Sequence, residues 1–283
     1  MPDFDTTGPI EATINVVAGN VRVTAGDTPG TTVEVRPANP GSDRDQTFAE
    51  QTVVEYANGR LLVKGPKQKN FGIFGGKAGV VDVEITLATG SGIDADGGIL
   101  NLTGRGALGD CRVKAGVGDV RLERVASVDA RTGAGALTVL TVDGDATAVS
   151  GSGEVRVGEV GKNAQLKTGN GETRLESVGG DLRARSSNGS VMVGRAGGNV
   201  DAATANGSIR IDEIAGGTVS LKTALGELEV GVPEGLPAYL DLHTSFGTVH
   251  NRLTASDAPG GGQRHAEVRA HTSYGDVIVR RKR

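Results

Sequence analysis

Apolar and polar residues alternate along most of the chain in short runs separated by glycine-containing turns. In one run, Val155 and Val157 face one side while Glu154 and Arg156 face the other. This period of two predicts a β-strand with one buried face. The alternation recurs at Val120/Leu122, Leu137/Val139, Thr173/Leu175, Val191/Val193, Ile209/Ile211, Leu228/Val230 and Val277/Val279.

The alternating runs belong to a repeat of about eighteen residues with the motif [Thr/Ser]-Gly-x-Gly-[acid]-[Val/Leu]. A second, looser turn, Gly-Gly-[Asp/Asn], precedes another alternating run, so each repeat contains two short strands. A fixed period of this kind indicates stacked repeats. The second glycine of the motif falls at Gly118, Gly135, Gly153, Gly171, Gly189, Gly207, Gly226, Gly247 and Gly275.

The repeat predicts an all-β protein, a parallel β-solenoid of ~18-residue coils at residues 97–283, with a strand-rich N-terminal cap at residues 1–96. About five inward aliphatic side chains per coil contribute roughly 8–15 kcal/mol of burial. Ordering the coil costs on the order of 18–36 kcal/mol, so coils fold only as a stack. An up-and-down barrel is the alternative, but about eighteen strands would enclose a lumen, and we prefer the solenoid.

The N-terminal region reads as ordinary strands and turns. Residues 12–17 and 20–24 flank an expected turn at Gly19, and further strands are predicted at residues 31–36, 52–56, 60–64 and 80–87. Glycine-rich and polar segments at residues 67–79 and 251–264 predict loops.

Polar residues at equivalent turn positions predict ladders along the stack. Asn170, Asn188 and Asn206 fall on successive coils, where side-chain amides can bond to one another. A hydroxyl column is expected at Thr132, Ser150, Thr168, Ser186, Thr204, Thr223, Thr244 and Thr272. The last turns carry Leu225, Phe246 and Tyr274 instead of asparagine. We expect these three to close the C-terminal end of the core, with an exposed adhesive patch as the alternative.

Composition narrows the functional classes. The chain has 46 glycines, no tryptophan and a formal charge of -4, which argues against general nucleic-acid binding. No stretch approaches the roughly 18–20 apolar residues that span a bilayer. Residues 1–5 show no secretion signal. These features predict a cytoplasmic monomer without a membrane span.

Two carboxylates raise the question of catalysis. Glu154 and Glu172 occupy the same column of adjacent coils, and a pair about 5 Å apart suits a retaining glycosidase. Arg156 and Arg174 share their outward face, however, which favours a solvated ladder of charges.

Metal and phosphate sites have weaker support. His243 and His271 are equivalent positions that can share a metal, with Asp241 or His265 as a third ligand, but their column continues an exposed basic stripe. The acid follows the glycine too closely for calcium-binding nonapeptides. Residues 72–77 are too short for a phosphate-binding loop. We therefore predict no catalytic, cofactor-binding or metal residues, and no cofactor.

The single cysteine and the basic tail have simple interpretations. Cys111 falls in an inward column with Val128 and Ala146, so we expect a small buried side chain. The basic residues 280–283 are expected to be a frayed terminus.

Several motifs resemble a known family. Residues 179–191 contain Gly-Gly-Asp-Leu and Ser-x-Asn-Gly-Ser-Val, and residues 244–249 and 272–277 follow Thr-Ser-[Phe/Tyr]-Gly-x-Val. In these features the chain resembles the bacterial putative-adhesin family of β-strand-repeat proteins, a domain of unknown function. Residues 19–23 and 58–63 look like actinobacterial members. The resemblance implies a β-helix-like fold and a non-catalytic surface role, and it brings no catalytic residues.

Together these observations predict a non-catalytic adhesin-like β-repeat protein, a scaffold that presents a rigid surface to a protein or polysaccharide partner. Two other classes stay open. One is a self-assembling, cytoskeleton-like β-helix, which requires exposed strand edges at its ends. The other is an enzyme acting on polysaccharide, for which Glu154 and Glu172 are the candidate residues.

Overall fold

The computed structural model describes residues 2–27, 30–66, 79–254 and 264–282. These residues form an all-β protein built as a parallel β-solenoid, which confirms the predicted fold class. They divide into two compact units, Met1–Thr141 and Val142–Arg283. The boundary expected between residues 96 and 97 stays a prediction; both residues lie inside one continuous strand, Gly92–Val117.

The first unit combines parallel coils with antiparallel additions. Its elements are β1 (Asp3–Phe4), β2 (Glu11–Gly26), β3 (Thr31–Pro37), α1 (Asp43–Glu50), β4 (Val53–Ala57), β5 (Arg60–Lys64), β6 (Val81–Ala88), β7 (Gly92–Val117) and β8 (Val120–Ala134), followed by β9 (Leu137–Val142). Strand β2 pairs in parallel with β5, β6 and β7, and β7 pairs in parallel with β8. Strand β3 pairs antiparallel with β1 and β6, as β4 does with β5.

The prediction of a turn at Gly19 is wrong. Strand β2 runs unbroken through Gly19, and only the alternation of buried residues changes phase at residues 18 and 19. A Cβ at Gly19 would lie 2.8 Å from the carbonyl oxygen of Val81. Glycine therefore serves close packing of β2 against β6 at this point, which a sequence pattern cannot distinguish from a turn.

Helix α1 was not predicted. It buries none of its residues, so hydrophobic periodicity gives no sign of it. Local polar contacts hold it instead: Ser42 Oγ accepts from the N–H of Asp45 at 3.3 Å, and Asp45 Oδ1 accepts from the N–H of Val80 at 3.0 Å. Of the helices in the described part of the chain, none has the length and apolarity needed to cross a bilayer.

The second unit contains two columns of parallel strands. One consists of β10 (Ala146–Ser152), β12 (Ala164–Asn170), β14 (Leu182–Asn188), β16 (Val200–Ala203), β18 (Gly217–Leu225), β22 (Ala266–Tyr274) and β20 (Ala238–Phe246). The other consists of β11 (Val155–Val160), β13 (Thr173–Val178), β15 (Val191–Ala196), β17 (Ile209–Ile214), β19 (Leu228–Pro233), β23 (Val277–Lys282) and β21 (Val249–Asn251). Each column is given in its spatial order.

The register confirms the stacking on which the prediction depends. Val155 pairs with Thr173, and Thr173 pairs with Val191, so residues eighteen apart in sequence lie on top of one another. Leu175 and Val193 continue the inward column beside them, and both are almost fully buried. The core of this unit is therefore a stack of mainly aliphatic side chains, repeated at the spacing of parallel strands.

The last two coils are out of sequence order. Strand β22 pairs with β18 on one side and with β20 on the other, and β23 pairs with both β19 and β21. The coil of β22 and β23 therefore lies between the coil of β18 and β19 and that of β20 and β21. Strand β20, although earlier in the chain, is the final strand of its column.

The turn motif has a steric and a polar component. Gly171 has φ +142°, and a Cβ there would lie 2.3 Å from the carbonyl oxygen of Gly153, so only glycine fits. Thr168 Oγ1 donates to that same carbonyl at 3.2 Å. The six threonines of the hydroxyl column bond to turn carbonyls in this way and hold the glycine corners of the coils, whereas Ser186 Oγ has no hydrogen-bond partner.

Leu225, Tyr274 and Phe246 do not close the core, contrary to the capping expectation. Leu225 pairs with Tyr274 and Tyr274 with Phe246, and all three are exposed at the corner of the coils. The rings of Phe246 and Tyr274 stack with centroids 4.7 Å apart. The alternative interpretation, an exposed apolar patch, is the one that agrees with the structure. The phosphate-loop motif at residues 72–77, and most of the two predicted loops, lie outside the described residues.

Candidate functional site

A groove of about 530 Å³ crosses five successive coils of the second unit, at the N-terminal ends of β10, β12, β14, β16 and β18. Two columns of polar residues line it. The turn column consists of Asp145, Asn163, Asp181, Asn199 and Thr218, and the outward column of Thr147, Gln165, Arg183, Asp201 and Ser220.

The turn column is a continuous hydrogen-bonded ladder. Oδ1 of Asp145 accepts from the N–H and Nδ2 of Asn163, at 3.1 and 3.0 Å. Oδ1 of Asn163 accepts from the N–H of Asp181 at 2.9 Å. Asp181 Oδ1 accepts in turn from the N–H and Nδ2 of Asn199, at 2.8 and 3.1 Å. Asn199 Oδ1 accepts from the N–H of Thr218 at 2.9 Å, so the carboxylates and carboxamides of the four Asp and Asn residues are each bonded to the next coil.

The outward column supplies the charges that are free to meet a ligand. The side chain of Arg183 is exposed and makes no hydrogen bond or ion pair with the described residues. Asp201 is held by Arg185, which donates to its carboxylate and, at 2.8 Å, to its carbonyl oxygen. The groove therefore presents three carboxylates, carboxamides, hydroxyls and one unpaired guanidinium on paired parallel strands.

The candidate glutamates lie outside this groove. Glu154 accepts from Arg156 at 2.7 Å and Glu172 from Arg174 at 2.8 Å, all of them partly exposed. The hydrogen bond to Glu172, reinforced by the charges of Glu172 and Glu154, raises the pKa of Arg174. The two glutamates and their arginines thus form a solvated ladder of charges, and neither glutamate lines the groove.

The candidate metal ligands approach one another without forming a site. His243 pairs with His271 across β20 and β22, with ring centroids 6.0 Å apart and nearly perpendicular. Nε2 of His271 lies 3.2 Å from Asp241 Oδ1, an ion-pair distance that lacks hydrogen-bond geometry. His265 packs against the ring of Tyr239 instead. No group of three metal-ligating side chains occurs among the residues the structure describes.

Cys111 is buried, as predicted. Its Sγ lies 3.7 Å from the carbonyl oxygen of Gly109. Burial, with a smaller contribution from Asp110, raises the pKa of the thiol to about 12. At neutral pH the side chain is therefore a protonated thiol, and it is not a nucleophile.

Sequence reasoning missed the groove residues, although a signal for them existed. The looser Gly-Gly-[Asp/Asn] turn repeats at Asp145, Asn163, Asp181 and Asn199, eighteen residues apart each time. Such a strict Asp/Asn alternation indicates that a side-chain acceptor is required there. The pattern does not show that these turn residues line a groove together with the outward residues of the next strands.

The sequence and the fold together place the chain in a family. The model of the Toastrack DUF4097 family matches residues 11–280. The chain belongs to this family. The match confirms the resemblance to the putative-adhesin group, while the likeness to actinobacterial members stays a prediction. The groove lies within the matched residues of the Toastrack domain.

Comparison with other proteins adds little about activity. No curated protein matches this chain. Among solved structures, it is similar to a putative cell adhesion protein from Clostridium sporogenes, with 12% identity over 99% of this chain and 98% of that one, at a TM-score of 0.25. A putative adhesin from Parabacteroides distasonis shares 14% identity over 98% and 95% of the chains, at a TM-score of 0.30. A putative lipid binding protein from the same organism shares 11% identity over 98% and 95%, at 0.31. Similarity at this level leaves the function of this chain open.

Proposed function

We propose that this Toastrack protein is a non-catalytic binding protein whose groove holds an extended macromolecular partner. The observation that carries the proposal is the polar groove of about 530 Å³ across five coils, with its side chains fixed by the ladder. Equivalent groups recur at the ~4.8 Å spacing of the strands, so a repetitive polymer meets similar contacts again and again. Rigid groups lose little entropy on binding, and weak contacts can then add along the groove.

The lining favours a polysaccharide over a protein partner. Binding energy at protein interfaces is concentrated in buried aromatic and arginine anchors. The described residues that line the groove include no aromatic side chain, and their one arginine, Arg183, is exposed. It offers carboxylates, carboxamides and hydroxyls, which match the hydroxyl groups of a sugar polymer. With three carboxylates and one guanidinium, it suits a neutral or basic polymer better than an acidic one.

Two features support binding without catalysis. Glycoside hydrolysis requires a carboxyl pair in a cleft, where one member is a general acid with a raised pKa. Glu154 and Glu172 stand outside the groove, each paired with an arginine. Asp145 and Asp181, inside it, each have one oxygen committed to two N–H donors of the next coil.

Calorimetric titration with defined oligomers tests the proposal. The probes are neutral cello-oligosaccharides, basic chitosan oligosaccharides, acidic heparin fragments and an extended peptide of mixed composition. We expect a neutral or basic saccharide to bind, and Arg183→Ala or Asp181→Asn to weaken it by roughly 10–100-fold. Asp181→Asn keeps the ladder acceptor and removes only the charge.

Arg156→Ala is the matched control, because it removes a partly exposed arginine outside the groove. Its affinity for the saccharide should equal that of the wild type. If only the peptide binds, the partner of the groove is a protein and not a polysaccharide. Binding of no probe, or equal effects of Arg156→Ala and Arg183→Ala, would overturn the assignment to the groove.

A further inference from the structure

The second unit ends in an open strand edge. Strand β20 pairs with β22 on one side, and no described residue pairs with its other side. The N–H of Ala266 donates to the carbonyl oxygen of Pro237 at 2.9 Å, which fixes the orientation of the strand. Backbone groups of alternate residues therefore point toward β22, and those of residues 238, 240, 242 and 244 point to the open side.

Apolar side chains accompany this edge. Leu240 and Leu242 are only half-buried, whereas Val268 and Ala270, which pair with them in β22, are fully buried. The large side chains nearby are exposed as well, to 52% at Tyr239, 63% at Phe246 and 41% at Val249. An apolar surface next to unpaired backbone groups is typical of an interface.

The edge also lacks the usual protection against strand pairing. Natural edge strands are blunted by lysine, proline or a β-bulge. Residues 238–246 contain neither lysine nor proline, and residues 238–244 pair with β22 without interruption. The backbone changes phase only at the corner, where Phe246 accepts from the N–H of Gly275 at 2.9 Å. Among the residues that the structure describes, none accepts from the N–H groups of residues 238, 240, 242 and 244 on the open side.

We propose that a second copy of this chain pairs antiparallel with β20 across a twofold axis at Leu242. Leu242 then lies opposite Leu242 of the second copy, and Leu240 lies opposite Thr244. The backbone groups of all these residues point to the open side, so they can bond to one another. This arrangement allows about six backbone hydrogen bonds between the copies. It also covers the half-exposed inward side chains of the last coil.

The outward side chains are complementary in the same register. Asp241 falls opposite His243 of the second copy, at a position without direct backbone bonds, where side chains approach most closely. Both residues are exposed, and the twofold axis makes this pair twice. If one copy of β20 shifted by one residue along the other, either the backbone hydrogen bonds or the pairing of Asp241 with His243 would be lost.

The interface is isologous, so it closes on two copies and does not propagate. This proposal differs from the monomer expected from the sequence, which stays a prediction. The groove residues are not part of β20, so the dimer and the binding function are independent.

Sedimentation velocity over a concentration series tests the dimer. The wild type should sediment as a dimer at micromolar concentration, and Leu242→Arg should raise the dissociation constant at least tenfold, because two guanidinium groups would meet on the axis. Leu140→Arg introduces the same charge at an exposed leucine outside β20 and should leave the dimer intact. A wild type that is monomeric throughout, or a dimer that survives Leu242→Arg, would overturn the proposal.

Charge exchange tests the register with variants of exposed residues. His243→Glu should weaken the dimer because it places two carboxylates opposite one another, and Asp241→Lys should weaken it because it removes the carboxylate that faces His243. The double variant restores opposite charges and should recover most of the affinity. Additive weakening in the double variant would contradict the register.

A cross-link provides an independent distance test. Opposed residues of an antiparallel pair have Cα atoms about 4.5–5.5 Å apart, within the range of a disulfide. Leu242→Cys should therefore form a covalent dimer under mild oxidation, whereas Leu140→Cys should not. Absence of cross-linking in Leu242→Cys, with native circular dichroism, counts against the axis at this residue.

Discussion

The side-chain amide of Asn188 donates to Oδ1 of Asn170 across 2.8 Å, and Asn206 donates to Asn188 Oδ1 at the same distance. The three residues stand at equivalent turn positions of consecutive coils, so an amide ladder joins the coils outside the core. The side-chain amide of Asn188, in the middle, donates one hydrogen bond and accepts another. A carboxylate, which can only accept, is therefore a poor substitute at this position.

We expect Asn188→Asp to lower the free energy of unfolding by about 1–3 kcal/mol, because it loses one hydrogen bond and places a charge beside Oδ1 of Asn170. Urea denaturation followed by circular dichroism measures the change. Asn251→Asp is the control, since Asn251 Oδ1 only accepts, from the N–H of Leu253 at 2.9 Å, and aspartate keeps that bond. Equal stability of the two variants would mean that the ladder adds nothing.

The repeat was readable in the sequence because stacking imposes it on every coil. Thr173 lies on Val155, and Asn188 bonds to Asn170, as the eighteen-residue period requires. The features that the sequence did not show depend on contacts between distant segments. Helix α1 buries no side chain, and the insertion of β22 between β18 and β20 leaves the local pattern unchanged.

The candidate site was less predictable than the fold. The Asp/Asn alternation at Asp145, Asn163 and Asp181 is visible in the sequence, but its two consequences are not. One is the ladder, which follows from the direction of each side chain. The other is the groove, whose lining combines the turn residues with outward residues of the adjoining strands. Residues chosen for their chemistry alone, such as Glu154, proved to be ion-paired surface groups.

The corner glycines give a second prediction. Gly171→Ala should lower the free energy of unfolding by at least about 2 kcal/mol, because the backbone has φ +142° and the new Cβ would lie 2.3 Å from the carbonyl oxygen of Gly153. Thermal and urea unfolding measure the loss. At Gly8, a Cβ would have no atom within 4 Å, so Gly8→Ala should change stability by less than about 0.5 kcal/mol. Equal effects of the two substitutions would contradict the steric explanation.

Burial of Cys111 predicts a pH dependence with a definite sign. The pKa of the thiol rises from 9.0 to about 12 on folding, so between these values the unfolded chain loses a proton that the folded chain keeps. The stabilising contribution is complete below pH 9 and decreases as the pH rises toward 12. We expect the stability difference between wild type and Cys111→Ala to shift against the wild type by about 1.4 kcal/mol per pH unit in this window.

Denaturation of both proteins at pH 8, 9 and 10 measures this shift. The cavity left by Cys111→Ala contributes equally at each pH and cancels from the slope. The native thiol should also resist alkylation by iodoacetamide at neutral pH until the protein is unfolded. A stability difference that stays constant with pH, together with rapid native-state alkylation, would show that the thiol is solvated.

Two threonines of the same coil should respond oppositely to one substitution. Thr173 is 1% exposed between Val155 and Val191, and its Oγ1 has no hydrogen-bond partner. Thr173→Val replaces an unsatisfied hydroxyl by a methyl group in an aliphatic column, so we expect a gain of about 1 kcal/mol or more. Thr168 is equally buried, but its Oγ1 donates to the carbonyl oxygen of Gly153 at 3.2 Å. Thr168→Val should therefore cost about 1 kcal/mol. If urea denaturation shows the same sign for both, hydrogen-bond satisfaction does not control the stability of this core.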